Sequence, residues 1–216
     1  MRVVMVRHNF IHGLKRILVD FFDAIRENYV LVSFSIFLIT GMVLGSIFAK
    51  NIDFSVLSKL DFLFYSNIKT RSVQPFLSVF TASFASSFLF VLFCFLCGLS
   101  IWGMFIIPVV LVFRGFGLGL TSGYLYSSYG GNGILFNLIV ILPGAFICCI
   151  AILLAAREGS RFSRRIAAGG KGQGGIISRS NIRLYLLRFG AILGIAFLSA
   201  VTDLILSACF AGMFSF

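Results

Sequence analysis

Charge is what this chain has least of. Asp, Glu, Lys and Arg make up 12% of its 216 residues, against about 25% in a soluble domain. Between Arg71 and Arg157 lie 85 residues with a single charged side chain, Arg114. No hydrophilic stretch is long enough to bury a soluble core of its own, which excludes an extramembrane enzyme domain. No Ser/His/Asp set, carboxylate pair or zinc-binding spacing occurs, so a conventional enzyme is not expected. No short apolar run follows a charged leader either. Instead 28 largely polar residues precede a run long enough to span, and no cleavable signal peptide is expected.

What fills the chain is apolar. Hydrophobic residues reach 59%, phenylalanine alone numbers 27, and mean hydropathy is +1.05. A bilayer core takes about 20 apolar residues of helix. The composition therefore predicts an all-α, polytopic integral membrane bundle with membrane lipid as its solvent.

The net charge of +11 raises nucleic acid as a partner, but the basic residues sit in polar segments that flank apolar ones, as topology signals do. No aromatic–basic interleaving suggests a nucleic-acid platform, and none is expected. The five cysteines fall inside apolar segments. Cys94-x-x-Cys97 has ligand spacing without a matching set, so buried thiols fit better than a metal or redox centre. His8 and His12 stand four apart but lack further ligands, and read as a solvated face. No metal or cofactor is expected. The glycine run around Lys171 lacks the Gly-Lys-Ser/Thr order of a phosphate loop.

Residues 1–28 carry Ile11, Leu14, Ile17, Leu18, Phe21, Phe22 and Ile25 at spacings of three and four, with Lys15, Arg16, Asp20, Asp23, Arg26 and Glu27 opposite. That pattern predicts an amphipathic helix on the membrane surface or on the protein's own cytoplasmic face. Spans are predicted at about 29–49, 76–98, 101–126, 133–156 and 189–214, making residues 29–216 one membrane domain. A turn without charge near Gly98–Gly103 separates the second and third spans, and Ser127–Gly133 makes another turn. The loop 157–188 holds eight basic residues against Glu158 alone. With this loop and the N-terminus both cytoplasmic, an even number of crossings must lie between them. Five crossings follow, in a multi-pass protein of the cell membrane with its N-terminus cytoplasmic and its C-terminus extracytoplasmic.

Small residues at every fourth position let helix backbones approach closely. Gly41 and Gly45 do so in the first span, and Gly115, Gly119 and Gly123 in the third. Such faces also permit a homodimer. Pro108, and Pro143 with Gly144, are expected to kink their helices.

Arg114 and Asp203 fall near the middle of the third and fifth spans. An unpaired arginine there costs at least about 2.5–3.5 kcal/mol on insertion scales. An intramembrane Arg114–Asp203 ion pair is the economical expectation, supported by hydroxyls such as Thr121 or Thr202. Snorkelling from a shorter span, or an anion held by Arg114, are the alternatives. The latter with kinked helices describes a transporter or permease subunit.

The stretch Phe113-Arg114-Gly115-Phe116-Gly117-Leu118-Gly119-Leu120-Thr121 resembles the basic-glycine-aromatic stretch of the stage II sporulation protein M family. Gly133–Phe136 with Leu142-Pro143, Gly41–Ser46, and a last span with a central Asp are similar too, in the same order. The chain departs from the family after the proline, where Gly144-Ala145 stands in place of polar residues. The resemblance implies a non-enzymatic scaffold of forespore engulfment, holding peptidoglycan-degrading partners at the septal membrane. Their docking surface would then be the extracytoplasmic loop 50–75, through Leu60, Phe62 and Phe64.

Overall fold

Long uncharged runs leave the backbone one option in lipid. Each N–H and C=O must be satisfied within its own segment, so the runs become helices. The computed structural model describes residues 28–51, 76–169 and 179–210. In these the helices are α1 (Tyr29–Asn51), α2 (Phe76–Gly98), α3 (Gly103–Phe136), α4 (Leu142–Gly169) and α5 (Arg179–Phe210), with a π-helical turn, Asn137–Ile141, between α3 and α4. Five segments are long and apolar enough to cross a membrane. The fold is an all-α polytopic bundle. The amphipathic helix expected over 1–28, the docking residues Leu60, Phe62 and Phe64, and the glycine linker lie outside the described residues. The chain divides at Ser33, and all packing described below falls in the unit 34–216.

Two breaks interrupt the regular helix. Gly130 takes φ +52°, ψ −129° inside α3, a conformation L side chains rarely adopt, with open space around it. The chain reverses there. Beyond it Asn137 reaches back to Ser122 and Tyr126, and Phe136 and Val140 pack on Leu125. The second break is the π-helical turn. Pro143 has no N–H to donate, and its ring crowds the carbonyl four residues earlier, at Ile139. Widening the preceding turn relieves that conflict. Pro108, the other residue expected to kink its helix, lies inside α3, where the backbone keeps helical φ/ψ except at Gly130.

The contacts fix each helix's direction. Leu38 faces Gly115, Met42 faces Gly119 and Ala49 faces Gly123, so α1 and α3 run parallel. Ser87 meets Cys148 and Cys94 meets Gly159, so α2 and α4 are parallel. Ser199 meets Gly144 while Arg188 meets Glu158, so α4 and α5 are antiparallel. Phe80 and Phe84 pack on Phe197 while Phe95 packs on Phe189, so α2 and α5 are antiparallel. One alternating order satisfies all four relations.

The bundle interior is small-residue rich. Ala151, Ala155, Ala156, Ala196 and Ala200 are fully buried on α4 and α5, as are Val91 on α2 and Ile107 and Leu111 on α3. Facing the other way, Ile36, Ile39, Val43 and Ile47 on α1 are more than half exposed. Lipid is the solvent for such a face.

At 1.5 Å per residue the 28 residues of α4 and 32 of α5 run about 42 and 48 Å. Both exceed a hydrocarbon core of about 30 Å. Much of the basic segment 157–188, expected to be a loop, is accordingly helix, in the last turns of α4 and the first of α5. The Glu158 carboxylate supports this extension, pairing with Arg161 at 3.4 Å and Arg188 at 2.6 Å.

At the α1–α3 seam glycine brings two backbones into contact. A Cβ on Gly41 would strike the Val112 carbonyl, on Gly45 that of Phe116, on Gly115 that of Leu38, and on Gly119 that of Met42. Ser46 adds a hydrogen bond across the seam, its hydroxyl donating to the Gly119 carbonyl at 3.2 Å as well as to Met42. Gly119→Ala should therefore lower stability by about 1–3 kcal/mol through overpacking. Gly190→Ala on α5, where the new methyl meets open space, should be neutral; thermal melts of both variants in micelles check the contrast.

Candidate functional site

Ionic groups inside a membrane are rare, costly and therefore informative. Arg114 projects from the middle of α3 towards α2 and α4. Its Nη1 donates to the Ser86 hydroxyl at 3.1 Å, and its Nη2 to the Cys148 sulfur at 3.3 Å. The guanidinium carbon lies 5.1 Å from the centre of the Phe90 ring. Ser87, next along α2, touches the same sulfur at 3.1 Å and donates to the Ser83 carbonyl at 2.9 Å. These groups are neutral. Hydrogen bonds to a charged group contribute about 1.5–3 kcal/mol each, so two of them match the insertion cost of the arginine. Its Nε is buried and makes no hydrogen bond.

Asp203 lies one turn away along α4. Its Oδ1 packs against Gly144, where a Cβ would overlap it. Beneath it the Ser199 hydroxyl donates to the Gly144 carbonyl at 2.8 Å, in a buried setting. Gly144 and Cys148 are four residues apart and share a face of α4. The two charged side chains thus reach one face of α4, at Gly144 and at Cys148 one turn on. Gly144, expected as a kink residue, follows closely on the π-helical turn and admits a carboxylate against the backbone. The proposed hydroxyl helpers are used locally: Thr121 donates to Gly117 at 3.0 Å and Thr202 to Leu198 at 2.9 Å, each to its own helix.

Beyond this seam, Asn137 is buried on the π-helical turn. Its amide donates to Tyr126 at 2.8 Å and Ser122 at 3.1 Å, while its Oδ1 makes no hydrogen bond. At the opposite end of the bundle the Tyr185 hydroxyl donates to the Phe95 carbonyl at 2.9 Å, and Ser163 to that of Ser100 at 2.7 Å. Phe162 stacks on Tyr185 at 4.3 Å.

The arginine-bearing glycine helix, the glycine seam with the first span, and the proline turn before α4 occur in one chain order. A family model described as Stage II sporulation protein M matches residues 33–215. The chain belongs to this family. It is a multi-pass membrane protein of a sporulation-related family. No curated protein and no solved structure matches it significantly.

The match takes in the whole polar seam, yet sequence reasoning missed most of its members. Ser86, Ser87, Cys148 and Ser199 are ordinary small residues of transmembrane helices, and only the fold gathers them round the charges. One signal was available: Ser83, Ser86 and Ser87 cluster in an otherwise aromatic span.

The Gly144–Asp203 contact makes a specific prediction. Gly144→Ala should destabilise the protein by about 1–3 kcal/mol, since the added methyl has nowhere to go. Adding Asp203→Ala removes the atoms it meets, so the double variant should melt well above the sum of the two single losses. Strict additivity in those melts would show that the contact is not as described.

Proposed function

We propose that this protein is a non-enzymatic membrane scaffold of forespore engulfment, holding peptidoglycan-degrading partners at the septal membrane. Membership of the stage II sporulation protein M family supports this reading, because the match extends over all five helices rather than one motif. The use of the bundle's polar groups on one another also favours it. Hydroxyls, a thiol and the two central charges tie helices together, as a rigid platform requires.

In this proposal the basic ends of α4 and α5 face the cytoplasm by the bias of Lys and Arg in short loops. The N-terminus is then cytoplasmic, the C-terminus extracytoplasmic, and residues 50–75 lie outside. Leu60, Phe62 and Phe64 present the apolar surface to which cell-wall enzymes dock. A homodimer through a small-residue face is compatible with that role.

A second reading rests on one observation, the buried Arg114 Nε without a hydrogen bond. A transporter subunit would offer that donor to an anion crossing the membrane. The scaffold reading accounts for more of the seam, and we favour it.

Treating protoplasts of sporulating cells with a membrane-impermeant cross-linker, then purifying the protein, tests orientation and docking together. Peptidoglycan-degrading enzymes should be recovered with the native chain. Leu60→Ala, Phe62→Ala and Phe64→Ala combined should remove most of that recovery without lowering the amount of protein in the membrane. Recovery unchanged by the triple substitution, or seen only after lysis, would contradict the proposal.

A further inference from the structure

The basic ends of α4 and α5 do more than mark a side of the membrane. They enclose a recess of about 40 Å³ whose polar lining is Glu158, Arg161, Arg165, Asn181, Tyr185 and Arg188 and whose apolar lining is Leu184 and Phe162. Its floor is aromatic. Phe162 stacks on Tyr185 at 4.3 Å, Tyr185 lies 4.7 Å from Phe189, and the Tyr185 hydroxyl is tied to the Phe95 carbonyl at 2.9 Å. Its rim is ionic. The wall therefore changes from apolar to charged over one or two helical turns.

Three guanidiniums face one carboxylate here, leaving an excess of positive charge. Glu158 is 17% exposed and already committed, with Oε1 on Arg161 and Oε2 on Arg188. Each of those pairs uses Nη1, and a guanidinium carries five N–H donors in a planar fork suited to phosphate oxygens. Glu158 thus fixes two arginines from different helices and leaves the rest of each fork available to an anion. Arg165 completes the rim and takes part in neither pair. Leu184, in the wall of the recess, and Leu187, three residues on along α5, are more than half exposed.

From this arrangement we propose a binding site for an anionic phospholipid, its phosphate held by Arg161, Arg165 and Arg188 and its acyl chains laid along Leu184 and Leu187. The recess admits phosphate oxygens rather than a whole headgroup, so the remainder of the headgroup stays at the rim. The exposed leucines beside the rim favour a lipid over a soluble anion, because they offer its chains a track that free phosphate cannot use. Basic pockets between helices at the cytoplasmic interface commonly hold such headgroups. The inference rests on the bundle lying in a membrane, not on the scaffold role.

The test uses the full chain in detergent, with lipid binding followed by native mass spectrometry and by melting. The probes are short-chain phosphatidylglycerol, short-chain phosphatidylcholine, inorganic phosphate and a polyglutamate peptide. Phosphatidylglycerol should bind and raise the melting temperature, and phosphatidylcholine should do neither. Arg161→Gln, Arg165→Gln and Arg188→Gln should each weaken binding about fivefold, as expected when one basic contact near a headgroup is lost. Arg165→Gln leaves both Glu158 pairs intact, so it separates loss of binding from loss of fold. Arg164→Gln, on the exposed side of α4 and absent from the recess, should change nothing. Equal weakening by Arg164→Gln would mean diffuse attraction to basic helix ends and would overturn the proposal. Phosphatidylcholine binding as tightly as phosphatidylglycerol would overturn it too. So would saturation by phosphate alone, which points to a soluble anion, or displacement by polyglutamate, which points to an acidic protein.

Discussion

A guanidinium held in the middle of a hydrocarbon layer constrains everything around it. Lipid offers the Arg114 side chain no partner. The bundle answers with a hydroxyl from α2, a sulfur from α4 and the face of Phe90. Those contacts require α2, α3 and α4 to meet at one point. An arginine that would be a liability on an isolated helix becomes the point at which three helices are registered.

Around that point the chain uses small residues as spacing devices. The glycines of α1 and α3 bring two parallel backbones together, with Ser46 bridging them. Parallel neighbours must be joined through a third helix that returns across the membrane, and α2 is that return. Alanines at the buried face of α4 and α5 work similarly for an antiparallel pair. Where Gly144 removes the side chain from α4, the space is taken by the Asp203 carboxylate. Charge and packing are thus solved on one helix, at Cys148 and at Gly144, a single turn apart.

The spans were legible because their signal is long and redundant: some twenty apolar residues between polar edges cannot be read as much else. Gly115 and Gly119 were legible as a packing face because a four-residue period survives without knowing the partner. The neutral partners of Arg114 were not, since a count of charges says nothing of the hydroxyls and thiols that a bundle places beside one. Ser86 and Cys148 carry no pattern that separates them from neighbouring serines and cysteines. Pro143 was legible as a disturbance, but not that it would widen the turn before it. The helical reach of α4 and α5 into the basic segment was missed because charge marks a membrane boundary, not the end of a helix. Glu158, the single acid there, holds that extension together.

A double-mutant cycle puts the central claim to the shortest test. Stabilities in micelles are measured for Ser86→Ala, Cys148→Ala, Asp203→Asn and Arg114→Met, singly and in each pair with Arg114. If neutral partners hold the guanidinium, Ser86 and Cys148 should each couple to Arg114 by about 1–3 kcal/mol. Additivity of both within about 0.5 kcal/mol, with strong coupling to Asp203 alone, would contradict the account and return the arginine to the carboxylate.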